Sequence, residues 1–260
     1  MKSSLKISCA LTLALLAGGA SAAPIYWTDW TGSDQDSGAG FIGSGTITTP
    51  TSTVTVTYTN PQGIGFYQTS GGTYYYSNGS DGPAGTSPYT SAQVDNRPPT
   101  TDIVALQYAG TQSLVFSQAI ANPVFAFVSL NGNGYGFDQD FDILSFGGAD
   151  GNACGYWGCG TSYKNIVTVN GKTEYQLLGT GEPHGTLRFT GTFDTVSWRS
   201  LSNENWNGFT VGVQETAVAF CTANPTAPQC SPVSAVPEPA SMALMGLGLA
   251  GLAAVRRRKA

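Results

Sequence analysis

Apolar and polar residues alternate along most of this chain with a period of two. The run Thr53-Val54-Thr55-Val56-Thr57-Tyr58-Thr59 is the clearest case, β-branched almost throughout, with every second residue apolar. Shorter runs of the same kind occur at 43–48, 102–108, 113–117, 124–130, 141–146, 165–169, 174–178, 185–190, 195–199 and 208–214, separated by Gly, Pro, Asn and Asp. Asn170-Gly171 lies between two of them and predicts a hairpin with a type I′ turn. Val124-Phe125-Ala126-Phe127-Val128 is apolar on both faces, which predicts a central strand. No segment of 23–215 carries a three-turn apolar stripe at helical spacing. The pattern therefore predicts an all-β domain over 23–215, an antiparallel β-sandwich of jelly-roll type. Residues 70–100, rich in Gly, Ser and Pro around Tyr74-Tyr75-Tyr76, predict a long loop or loosely held edge hairpin. From 216 to 236 the alternation stops and Pro225, Pro228 and Pro232 appear, which predicts a semi-extended stalk.

The two ends follow other rules. Lys2 and Lys6 precede an apolar stretch too short to span a bilayer comfortably, and Ala20-Ser21-Ala22 supplies a small-x-small cleavage site. Residues 1–22 thus predict a signal peptide. At the other end stand Pro237-Glu238-Pro239, an apolar run over 240–255, and Arg256-Arg257-Arg258-Lys259. As a helix the apolar run rises roughly 24 Å, a little under the ~30 Å hydrocarbon core, and snorkelling basic side chains make up part of the difference. The basic cluster predicts a cytoplasmic end, so the body would lie outside the inner membrane while this helix held it there.

These three parts, in this order at the extreme C-terminus, closely resemble the PEP-CTERM sorting signal of Gram-negative bacteria. Pro237, Glu238 and Pro239 match its Pro-Glu-Pro element, and Arg256, Arg257 and Arg258 its basic cluster. The resemblance covers residues 237–260 and implies a partner, exosortase, which recognises such tails and cuts near the Pro-Glu-Pro element. It also implies an exported protein, transiently anchored in the inner membrane and then placed at the cell surface or in an extracellular polysaccharide matrix or biofilm.

Charge sharpens the picture. The whole chain carries 11 Lys and Arg against 16 Asp and Glu. The two ends hold six of the basic residues, so residues 24–236 have five basic against fifteen acidic and a net charge near −10. Nucleic-acid binding needs clustered Lys and Arg and is disfavoured. Four cysteines remain after removal of Cys9 with the signal peptide, an even number in an oxidising compartment. Three connectivities are possible; proximity favours Cys154–Cys159 and Cys221–Cys230.

Candidate chemistry is sparse. His184 is the single histidine and sits in Gly181-Glu182-Pro183-His184-Gly185, where a turn residue touching solvent or backbone is expected. Without a nucleophile motif around it, no catalytic residue is assigned and a non-enzymatic protein is expected. Glu174, Glu182, Asp194 and Glu204 are of the type that a glycoside hydrolase requires in pairs, which keeps a secreted hydrolase of matrix polysaccharide as the alternative. Asp138, Asp140 and Asp142 alternate, so in one extended strand they would share a face and attract calcium, the signature of a calcium-stabilised adhesive module. Tyr156 and Trp157 lie between two cysteines, and Trp206 stands among Asn203, Glu204, Asn205 and Asn207. Aromatic faces stack on sugar rings and amides bind hydroxyls, so these three aromatics are the candidates for contact with exopolysaccharide. The expected function is a structural or weakly polysaccharide-binding surface module.

Overall fold

The computed structural model describes residues 22–82 and 85–230. The signal peptide, the end of the expected stalk, Pro237, Glu238, Pro239, the apolar run over 240–255 and Arg256 to Arg258 lie outside the described residues. In chain order the first eight strands are β1 (Tyr26–Trp27), β2 (Asp29–Ser33), β3 (Phe41–Thr48), β4 (Thr53–Asn60), β5 (Phe66–Gln68), β6 (Ile103–Leu106), β7 (Gly110–Ala121) and β8 (Val124–Val128). The others are β9 (Tyr135–Phe137), β10 (Phe141–Phe146), β11 (Gly160–Val169), β12 (Lys172–Gly181), β13 (Gly185–Phe189), β14 (Thr192–Ser200), β15 (Asn207–Val213) and β16 (Glu215–Thr216).

They form two antiparallel sheets, as the alternation predicts. One runs β10-β13-β8-β15-β6-β5 with β1 beside β15; the other runs β11-β12-β9-β14-β7-β4-β3-β2 with β16 beside β7. The architecture is a β-sandwich. Its shared core takes the inward-facing residues of both sheets, with Phe125, Phe137, Phe189, Trp198 and Phe209 in mutual ring contact. Burial of this apolar surface is the main favourable contribution to folding. The Asn170-Gly171 turn joins β11 to β12 with positive φ at both residues, 51° and 77°, as a type I′ turn requires.

β8 shows why a strand can be apolar on both faces. Phe125 and Phe127 point into the sandwich, while Val124, Ala126 and Val128 belong to a second cluster on the outer face of the same sheet. That cluster is closed by Tyr76, Tyr89 and Val94, all fully buried. The segment expected as a loosely held loop is therefore a packed cover over the smaller sheet. Its aromatic residues are the physical reason: Tyr76 and Tyr89 meet edge to face at 5.1 Å, and their burial fixes a chain that has few backbone ladders of its own.

The expected stalk also differs. Residues Ala217–Ala223 form a short helix, α1, capped by Thr216, whose Oγ1 accepts a hydrogen bond from Ala219 N. Cys221 and Cys230 are joined by a disulfide, and Gln229 Nε2 donates to Asn122 Oδ1 on the sandwich at 3.3 Å. The Pro-containing segment thus continues the folded unit through residue 230. Among the described residues, no helix is long and apolar enough to cross a membrane.

Candidate functional site

The loop between β10 and β11 is closed by the Cys154–Cys159 disulfide, the second pair that proximity favours. Gly155 and Gly158 exchange both backbone hydrogen bonds, at 2.9 and 3.2 Å, which leaves Tyr156 and Trp157 at the tip of a tight turn. Gly155 is required by close approach: a Cβ there would lie 2.0 Å from Cγ of the buried His184 ring. Asn78 Nδ2 donates to Gly155 O at 2.6 Å and ties the turn to the Tyr-rich cover. Held in this way, Tyr156 and Trp157 stay 42% and 45% exposed.

The structure brings all three candidate aromatics together and adds two. Trp157 and Trp206 meet at 4.9 Å with their planes at 72°. Tyr75 contacts Tyr156, Trp157 and Trp206 at 5.3, 5.3 and 5.0 Å, and Phe66 of β5 closes the group against Trp206 at 4.9 Å. Tyr75 reaches the surface because its neighbour Tyr76 turns into the cover's core. The Tyr74-Tyr75-Tyr76 run was the sequence signal for it, but which of the three faces outward depends on the path of the loop.

Beside these rings lies a cavity of about 220 Å³ lined by Ser129, Asn131, Trp157, Glu182, Glu204, Asn205 and Trp206. Glu182 is pinned by two donors: Ser129 Oγ gives a hydrogen bond of 2.6 Å to Oε2, and Asn131 Nδ2 donates to Oε1. Glu204 Oε2 accepts from Asn207 Nδ2 at 2.9 Å, and the side chain is held where burial, with the nearby Glu182 charge adding to it, pushes its carboxyl up to about 7. The amides flanking Trp206 divide their work. Asn205 lines the cavity, Asn203 Oδ1 accepts from Ala109 N, and the buried Asn207 holds both Glu204 and the Tyr135 hydroxyl. Sequence reading missed Ser129, and it offered Asn131 only as a calcium ligand; a left-handed residue at Ser129 (φ 52°) presents both at the end of β8.

The other candidates are placed elsewhere. The shared face expected for Asp138, Asp140 and Asp142 is not formed, because 138–140 is a bend between β9 and β10 rather than one extended strand. Asp140 pairs with Lys164 at 2.7 Å and Asp142 with Arg188 at 3.6 Å, while Asp138 borders a different recess. Among the described residues, no three His, Cys, Asp or Glu side chains converge as a metal site. Of the two placements expected for His184, against solvent or against backbone, solvent contact is excluded, because the residue is fully buried. Its Nδ1 meets the Tyr89 hydroxyl at 3.1 Å, and burial lowers its pKa to about 4, so it is neutral. That second recess, about 230 Å³ on the larger sheet, contains Glu174 and Arg199, which are spent on each other in a two-pronged pair at 2.6 and 2.9 Å.

Comparison with known proteins bears on the tail. Residues 235–259 match the family model of the PEP-CTERM protein-sorting motif. The chain carries a PEP-CTERM sorting signal. Exosortase processing and sorting to the cell surface follow from this signal. No curated protein and no solved structure matches the chain.

Proposed function

We propose that this PEP-CTERM protein is a non-enzymatic module of the cell surface or extracellular matrix that holds polysaccharide at the Trp157–Trp206 cavity. One observation carries the reading: four partly exposed rings from three separate segments cluster beside a cavity, two of them, Trp157 and Trp206, lining it, and its rim is carboxylate, amide and hydroxyl. Sugar rings offer C–H faces to aromatic side chains and hydroxyls to such a rim, and an open recess suits a repeating chain held weakly at many sites. The test is affinity electrophoresis of the exported protein through gels containing the producer's own polysaccharide. Wild type is expected to be retarded, with the retardation lost in Trp157→Ala and Trp206→Ala. Equal mobility of all three would overturn the binding claim and leave a structural role.

A second reading has its own support. Glu182 and Glu204 border the same cavity, and Glu204 is the one disposed to hold a proton near neutrality. In a hydrolase, Glu204 would donate that proton to the glycosidic oxygen while Glu182 took one from the attacking water, with the C–O bond breaking and one water consumed. New reducing ends from matrix polysaccharide, absent with Glu204→Gln, would favour this reading over simple binding.

A further inference from the structure

Resting on the polysaccharide reading, the chemistry of the cavity narrows the ligand class. Its lining contains two carboxylates and no basic side chain. Four of the five basic residues of the body, Arg97, Lys164, Arg188 and Arg199, are ion-paired elsewhere, and Lys172 stands at the β11–β12 hairpin beside the other recess. Neither Glu182 nor Glu204 takes part in an ion pair among the described residues. Glu204 Oε1 is moreover buried without a hydrogen-bond partner, an unmet acceptor beside the cavity. The two tryptophans meet edge to face, their planes at 72°, and both rings line the cavity as a corner. An aromatic corner next to uncompensated carboxylate suits a cationic group, which ring faces attract through their quadrupoles and carboxylates through charge. The same field repels polyuronates and sulfated chains.

We propose that the cavity takes a sugar bearing a protonated amino group, a 2-amino-2-deoxyhexose unit of a partly deacetylated polysaccharide, with its ammonium between the Trp157–Trp206 corner and the Glu182 and Glu204 carboxylates. The ring of the sugar then lies along the exposed Tyr156 and the half-buried Tyr75.

The experiment is titration calorimetry of the exported protein, near neutral pH and in physiological salt, with glucosamine oligomers, N-acetylglucosamine oligomers, cello-oligomers, oligouronates and choline. Glucosamine oligomers are expected to bind at least about tenfold more tightly than the neutral oligomers, a difference of the size one charge-assisted contact gives. That preference is expected to vanish in Glu182→Gln/Glu204→Gln, which should bind glucosamine oligomers no more tightly than neutral ones. It should persist in Asp36→Asn/Asp194→Asn, which removes two carboxyl groups from exposed positions and so controls for general attraction to an acidic protein. Trp157→Ala is expected to abolish binding of every oligomer.

Equal affinity for amino and neutral sugars, or preference for uronates, overturns the amino-sugar assignment and leaves the polysaccharide reading standing. Choline binding as tight as that of the oligomer overturns the sugar part. Preference lost equally in both double variants assigns it to overall charge and overturns the site. Absence of binding to any oligomer overturns both readings together. Should the carboxylate double variant not fold, the ligand preference of the unaltered protein still decides.

Discussion

At the scale of single residues, the site depends on two carboxyl groups in different states. Glu182 is fully hydrogen-bonded, whereas Glu204 has one partner and is crowded by burial and by Glu182. Tyr135, through Asn207, and the neutral His184, through Trp157, are further titratable groups near it, as are Tyr75 and Tyr156 through the tryptophans. A carboxyl whose folded pKa stands near 7, above the ~4.3 of an unfolded glutamate, binds its proton more tightly in the folded state. Its contribution to stability is therefore greatest below pH ~4 and is lost as pH rises through about 7. Glu204→Gln removes that dependence. The expected result is a melting temperature that falls between mildly acidic and mildly alkaline buffer in wild type and falls less in the variant. Parallel curves would show that Glu204 titrates like an exposed glutamate.

At the scale of elements, Gly155 connects the core to the site. A methyl group there overlaps the His184 ring, which is itself fixed by Tyr89 and cannot withdraw. Gly155→Ala must then push the disulfide-closed turn outward and part Trp157 from Trp206. Overpacking of this kind costs about 1–3 kcal/mol. A lowered melting temperature and red-shifted tryptophan emission are expected together; a stable protein with unchanged emission would mean the turn is free to move. Strands of this kind were legible in the sequence where alternation was long, as in β4, or where a turn pair stood between runs, as at Asn170-Gly171. β1, β2, β5 and β9 were not, because two to five residues carry too little period to be distinguished from a loop. The acidic run at 138–142 misled for a related reason: alternation implies one face only if the backbone stays extended, and here it bends. Tyr156, Trp157 and Trp206 were legible as candidates from their polar and Gly-rich surroundings. Their convergence with Tyr75 and Glu182 was not, since it arises from contacts between segments far apart in the chain.

At the scale of the whole molecule, the site and the tail are joined by a short piece of chain. β16 and α1 pack on β7, and the Cys221–Cys230 disulfide closes the end of the described domain. What separates this closed end from the sorting motif is the stretch 231–234, far shorter than the stalk the prolines suggest. Cutting near Pro237-Glu238-Pro239 would therefore release a domain whose staple and sheet contacts are intact. The apolar run over 240–255 and the basic cluster would be separated from it. Mass spectrometry of the C-terminal peptide is expected to find mature protein ending upstream of residue 240 in cells that have exosortase. In cells that lack it, Arg256-Arg257-Arg258 should remain attached. Replacing Arg256, Arg257 and Arg258 with Gln should impair processing, because the cytoplasmic end expected from the sequence rests on that cluster. Mature protein that keeps an intact basic tail beside an active exosortase would show that the motif is not used. A membrane-retained domain would then have to reach its polysaccharide from within about one short linker of the bilayer.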